Sequence, residues 1–444
     1  MKKSLFGTSG IRGHSVKLFT PQFCFDIGRT FVEFLKRHDL VGPVAVGMDP
    51  RGSSPRIKQE LLKGLFSAGV ELFDEGATPI PSINWLLKST PIVGGVMITG
   101  SHIAPELNGM KFFAHDEEVS DADQKEIENI YLEIKGSELS DKLEVHLENR
   151  ARELYLELLQ NNISTSFPKW RVALDCANGA QSVVIPDFKS LGLEVFEINC
   201  DIQSDFIARD TDTDDKAQVE DLKALVKKEK CDFGIAFDGD GDRSVFIDEN
   251  GEFVLGEYSC SLIAKTIESN KIVTTISASQ VVDTLGKQVY RTKVGSPHVI
   301  GKMKEETAVF GFEQNGGAIF ADIMYTRDGG MVAVRLLNLF AKHKGSFSEM
   351  VGELPKYHMF RTKVDYKWEL KEEILTKAKE KFEGKKTEEV DGLKMWIDDD
   401  TWILFRSSAN APEFRVFAES KDESKAKELL DEGVDFVKKI IAND

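Results

Sequence analysis

Cysteine is scarce and unpatterned in this 444-residue chain: Cys24, Cys176, Cys200, Cys231 and Cys260 are odd in number and nowhere spaced as CxxC. That pattern excludes a disulfide framework and a paired-cysteine zinc site, and leaves reduced thiols as the expectation. Long apolar runs are missing too. None approaches the about 18 residues of a membrane span, and Met1-Lys-Lys-Ser-Leu-Phe-Gly7 offers no apolar stretch of signal-peptide length. A cytoplasmic protein with no membrane partner is therefore expected. Basic tracts are also absent. With 57 basic against 74 acidic residues and a net charge of −17, nucleic acid and anionic membrane are poor partners, and any anionic substrate must meet a locally basic pocket.

What the chain does have is concentrated at residues 238 to 243, Asp-Gly-Asp-Gly-Asp-Arg, behind the apolar run Phe233-Gly-Ile-Ala-Phe237. Two carboxylates about 4 Å apart repel by roughly 4 kcal/mol at an effective dielectric of about 20. Three convergent ones call for a cation, and oxygen ligands of this kind select a hard ion such as Mg²⁺. The alternatives are a solvated acidic turn and an EF-hand loop, in which Asp238, Asp240, Asp242 and Glu249 would take positions 1, 3, 5 and 12. The EF-hand fails at position 6, where the turn needs glycine and the chain has Arg243. Its flanks also read as strands rather than helices.

The length predicts three or four domains, and the 41% hydrophobic content can fill their cores. Three segments repeat one plan of strand, Gly/Ser/Asn-rich loop, helix and strand. They are Pro43–Met48 through a helix near 56–68 to Val70–Phe73, Arg171–Leu174 through a helix to Leu193–Ile198, and Lys271–Thr275 through a short helix to Gln288–Thr292. Such spacing implies crossovers on a parallel or mixed sheet. Beyond about residue 355 the pattern becomes a smaller α+β unit, with a polar helix near 369–383, strands between 392 and 420 and a closing helix near 423–441. An acidic helical linker is expected near 136–155. The domains are placed at 1–145, 151–249, 250–352 and 358–444.

Four further loops carry polar chemistry. Thr99-Gly-Ser-His102 leads to Lys111, and a serine so placed can accept a phosphoryl group if cations neutralise it. Phe6–Gly13 combines glycines, hydroxyls and Arg12 and can cradle an anion. Phe312-Glu-Gln-Asn-Gly-Gly317 offers an acid and two amides suited to sugar hydroxyls. Arg406–Arg415 sets two arginines, two serines and an asparagine around one turn, a composition that suits phosphate. Each of these, taken alone, also reads as an ordinary polar turn.

In this order and together, the loops resemble those of the α-D-phosphohexomutase family, over essentially the whole chain. The resemblance implies three related α/β domains with mixed sheets plus a C-terminal α+β domain around a central cleft. It makes Ser101 the phosphoserine, with Arg12, His102, Lys111 and Arg243 around it. Ser101 with Asp238, Asp240 and Asp242 would form the Mg²⁺ shell. Substrate contacts fall to Lys293, Glu313, Asn315, Arg406, Ser408, Asn410 and Arg415. Departures exist: SHNP reads Ser101-His-Ile-Ala104, GExSGH reads Glu313-Gln-Asn-Gly-Gly317 behind Phe312, and the C-terminal loop has Ser407, Ala409, Asn410 and Ala411 where Pro, Gly, Thr and Glu are common.

The implied reaction interconverts a hexose 1-phosphate and 6-phosphate through a bisphosphorylated sugar, with hexose 1,6-bisphosphate as activator. Lys111, with His102 or Arg12 beside it, would handle the proton. Phosphomannomutase or phosphoglucomutase activity is the first expectation and phosphoglucosamine mutase the alternative. A sugar-phosphate phosphatase and a non-catalytic sugar-phosphate binding protein are the rivals from other classes. The sequence does not set the oligomeric state.

Overall fold

Three β-sheets organise the chain, and the way they join differs from three independent repeats. A computed structural model describes residues 4–7, 10–202, 216–382, 386–408 and 412–442. In the first unit the strand Val44–Met48 lies parallel to both Leu72–Ala77 and Gly94–Ile98, and Leu107–Ala114 returns antiparallel to the last of these. The third unit repeats this: Lys271–Thr275 is parallel to Gln288–Thr292 and to Phe310–Phe312. A single parallel bridge, Tyr325 with Glu117, fuses the two into one twelve-stranded sheet. The second unit keeps its own five-stranded sheet, and so does the C-terminal unit, whose strand order is His358–Asp365, Glu413–Ser420, Thr401–Ser407, Leu393–Trp396, Lys386–Glu388.

The repeated plan read from the sequence holds, with local differences that have physical causes. The helix expected after Arg171–Asp175 is two short 3-10 segments, Ala180–Val183 and Ile185–Leu191. Pro186 lacks the amide hydrogen that a continuous helix needs there. The expected linker helix is also broken: helix Asp121–Ile134 stops before Gly136 and Ser137, whose amides are captured by the buried carboxylate of Asp26 at 2.8 and 3.2 Å. Helix Arg150–Asn161 then begins afresh and packs on helix Ile80–Ser89. No helix among the described residues is long and apolar enough to cross a membrane. Cys176 and Cys200, far apart in sequence, bring their sulfurs to 3.1 Å at the ends of neighbouring strands.

Helix Pro21–Arg37 packs on helix Ser54–Ser67 through glycines on both sides. A methyl group at Gly64 would stand 2.1 Å from the Phe25 carbonyl oxygen, and one at Gly28 would stand 2.5 Å from that of Leu61. Backbone cannot yield as a side chain can, so Gly64→Val is expected to lower stability by about 2–3 kcal/mol. Thermal unfolding followed by circular dichroism measures this directly. This helix pair matters to the site because the loop entering its second helix, Asp49 to Ser53, holds the loop that presents Ser101.

Candidate active site

Ser101 is fully buried and sits in the left-handed region at φ 53°. Non-glycine residues pay to be there, and such strain persists only where surrounding contacts over-determine the backbone. Those contacts come from Arg51, itself 1% exposed. Its guanidinium donates to the carbonyls of Ser101 at 2.9 Å and Leu107 at 2.7 Å, and its Nε pairs with Asp49 at 2.9 Å. Asp49 in turn accepts from the Thr99 hydroxyl and the Gly100 amide at 2.8 and 3.2 Å. The Asp49-Pro-Arg51 turn thus braces the loop that presents Ser101.

The Asp-Gly-Asp-Gly-Asp-Arg segment joins antiparallel strands Phe233–Phe237 and Ser244–Asp248, as the sequence indicated. The backbone is turned at Gly241, φ 75°, and pinned from outside. The carbonyls of Gly239, Asp240 and Gly241 accept from Ala180 N, Ile80 N and Gln181 Nε2 at 2.8, 3.0 and 3.0 Å. The three carboxylates converge within 4.8 Å of one another, all buried. Ser101 Oγ donates to Asp238 Oδ2 at 3.1 Å and lies 3.3 Å from His102 Nδ1.

Cations close the cluster. Lys111 Nζ lies 3.3 Å from both Asp240 and Asp242, and Arg243 Nε is 3.4 Å from Asp242 and 3.6 Å from Asp238. Arg12, opposite Gly109 on the paired strand Ile11–His14, has a buried Nε with no acceptor among the described residues. Burial and the two neighbouring carboxylates push the Asp238 carboxyl well above the usual range. Burial pushes Asp242 the same way, but Arg327, Lys111 and Arg243 outweigh it and hold that carboxyl low. Burial, with Arg243, Arg12 and Arg327 close by, keeps the His102 imidazole neutral to well below its ordinary pKa.

The remaining residues connect to this cluster step by step. Arg327 Nη2 pairs with Asp242 and its Nη1 with Glu313, both at 2.5 Å. Glu313 also accepts from the Gly295 amide at 3.0 Å, in the loop that carries the exposed Lys293. The next amide toward Lys293, Val294 N, donates to Asp391 at 3.1 Å, and Asp391 accepts from Arg406 Nε at 2.6 Å. Arg406 stands directly opposite Arg415 on the neighbouring strand, with Ser408 buried at the turn. Asn315 Oδ1 accepts from Gly317 N. Asn410 lies outside the described residues. Loops from all four units therefore form one chain of contacts from Ser101 to Arg406.

Comparison with known proteins places the chain in a family. Three family models match: phosphoglucomutase/phosphomannomutase alpha/beta/alpha domain I over residues 3–138, domain II over 153–251 and domain III over 253–357. A phosphoglucomutase/phosphomannomutase of Thermococcus kodakarensis is 37% identical, with 97% of each chain covered. The chain belongs to the α-D-phosphohexomutase family. It is thus a phosphohexomutase, an intramolecular phosphotransferase. A probable phosphoglucosamine mutase of Methanopyrus kandleri is 33% identical, with 98% of each chain covered. The crystal structure of a phosphoglucomutase/phosphomannomutase family protein from Burkholderia thailandensis superposes with a TM-score of 0.84 at 24% identity, covering 98% of this chain and 97% of that one.

A divalent cation fits this phosphohexomutase cluster on its own geometry. Among the described residues Asp240 Oδ1 is buried with no hydrogen-bond donor and Asp242 Oδ1 has only the Arg243 Nε ion pair at 3.4 Å, a state that costs free energy unless a cation completes it. The sequence did not single out Asp49, Arg51, Arg327 or Asp391. Arg327 is the last residue of strand Met324–Arg327 and carries no local motif, so only tertiary packing reveals it. Asp49 and Arg51 stood in a segment that reads as a Gly/Ser turn.

Proposed function

We propose that Ser101 carries the phosphoryl group and that this phosphohexomutase interconverts the 1- and 6-phosphates of glucose or mannose. The observation that carries the assignment is the buried, strained Ser101 hydroxyl set against the Asp238–Asp240–Asp242 cluster and ringed by Arg12, Lys111 and Arg243. Asp238, Asp240 and Asp242, with a phosphate oxygen on Ser101, would hold Mg²⁺, which when bound supplies charge stabilisation to the transferring phosphoryl group.

In the forward half-reaction the Oγ–P bond of phosphorylated Ser101 breaks, and a P–O bond forms to the free hydroxyl of the hexose monophosphate. Arg12, Lys111 and Arg243 neutralise the phosphoryl oxygens. The hydroxyl proton passes by way of the neutral His102 imidazole to the departing Ser101 Oγ, 3.3 Å from His102 Nδ1, while Lys111, paired with two carboxylates, serves as fixed charge. The bisphosphate turns over in the cleft and its other phosphate returns to Ser101, which takes back the bond. Arg406, Arg415 and Ser408 hold whichever phosphate is not reacting, Glu313 and Asn315 face the sugar hydroxyls, and Lys293 guards the cleft. Hexose 1,6-bisphosphate would prime the serine by the same step run in reverse.

Glu313 supports the hydroxyl sugars over a 2-amino sugar. Its carboxylate is already paired with Arg327 and bonded to Gly295 N, so a sugar ammonium would meet a neutralised acid with an arginine behind it. The test is ³¹P NMR with Mg²⁺, a trace of hexose 1,6-bisphosphate and the 1-phosphates of mannose, glucose and glucosamine in parallel. Conversion of the first two to 6-phosphate faster than the third, without inorganic phosphate, is expected. Fastest turnover of glucosamine 1-phosphate would overturn the sugar assignment, and accumulating inorganic phosphate would make the protein a hydrolase. Chelation of divalent cations should abolish conversion, and added Mg²⁺ should restore it.

A further inference from the structure

Position 317 and position 327 share one piece of space. A Cβ built on Gly317 would lie 2.7 Å from Arg327 Cδ and 3.3 Å from its Cγ. The arginine stem therefore runs through the volume that a side chain at 317 would fill. It emerges, 6% exposed, with one arm of its fork on Glu313 and the other on Asp242, residues contributed by different sheets. Lysine would not reproduce this, since its single nitrogen lacks the spread of a guanidinium, whose two terminal nitrogens each take one carboxylate.

We propose that Arg327 is a positioning residue that couples the cation cluster to the sugar loop, and that position 317 is glycine to let its stem pass. The inference rests on the assignment of Asp242 to the cation and Glu313 to the sugar. Arg327 Nη2 sits directly on Asp242, one of the carboxylates that the cation would use. A divalent ion drawing on the same carboxylate competes with that arm, while the other arm continues to aim Glu313. Arg327 thus opposes cation binding slightly and favours sugar binding, a split that a residue with a merely structural role would not produce.

Two variants separate these effects. Arg327→Met should bind Mn²⁺ about tenfold more tightly by calorimetry without substrate, because a neighbouring positive charge is gone. Its KM for the fastest hexose 1-phosphate should rise about 10- to 100-fold, because Glu313 loses the charge-assisted hydrogen bond that aims it. Gly317→Ala, which pushes the arginine stem aside, should raise KM comparably in the wild-type background and add nothing in the Arg327→Met background. Arg327→Lys should keep the wild-type Mn²⁺ affinity yet show the raised KM. The proposal fails if Arg327→Met binds Mn²⁺ more weakly, or if the Gly317→Ala penalty persists undiminished beside it. Wild-type protein that binds no Mn²⁺ would overturn the underlying cation assignment as well.

Discussion

Ser101→Ala is expected to abolish sugar-phosphate conversion, with a loss of roughly 10³-fold or more, while the protein stays folded. A nucleophile that forms the covalent intermediate has no substitute in the site, and deletions of this type remove most of the chemical rate enhancement. The fold should tolerate the change. Alanine keeps the Cβ and with it the same left-handed backbone cost, and the Arg51 bonds that hold this turn go to carbonyl oxygens rather than to the serine side chain. Asp238 loses one donor but retains the Arg243 amide at 3.2 Å. The measurement pairs ³¹P NMR turnover with mass spectrometry of the 101-containing peptide before and after incubation with hexose 1,6-bisphosphate. A variant that still turns over, or wild-type protein that takes no phosphate at that peptide, removes Ser101 from the reaction.

Arg406→Ala is the second large effect, and it acts on binding rather than on the reacting atoms. Lys363, Arg415 and Arg406 stand opposite one another across three neighbouring strands. Like charges so placed destabilise a sheet, and Asp391 and Glu413 offset them in the free protein. Losing the guanidinium fork on a phosphate costs about 3 kcal/mol, which is roughly a hundredfold in kcat/KM. The loss should be similar with the 1-phosphate and the 6-phosphate, because in the proposed cycle this loop holds the spectator phosphate in either direction. Unfolding free energy should change by less than about 1 kcal/mol, since relief of the cation row offsets the lost Asp391 pair. A kinetic penalty confined to one direction would show that the loop does not serve both phosphates.

The legible part of the site was the part written into contiguous residues. Asp238, Asp240 and Asp242 converge because glycine separates them and strands flank them, and all three signals lie within a dozen residues. The strand, loop and helix plan was readable for the same reason, since hydrophobic periodicity is local. Arg327 and Asp391 were not legible, because each acquires meaning from a partner brought in by a different sheet. Arg51 looked like a turn residue and is instead a buried brace. The bridge between Tyr325 and Glu117 depends on how finished units dock, which no local pattern encodes.

That bridge has a bearing on how the chain survives its own synthesis. The first unit can fold long before its neighbour exists, so the margin at Glu117–Glu118 waits through about 200 residues of elongation, on the order of 10–40 s. An open strand margin invites pairing with other nascent chains. This one is two residues long and carries two negative charges, which repel a second copy of itself. When the late segment arrives it brings Lys304, which pairs with Glu117, and Ser296, which reaches Glu118. The charges that ward off strangers are thereby the ones that admit the correct partner.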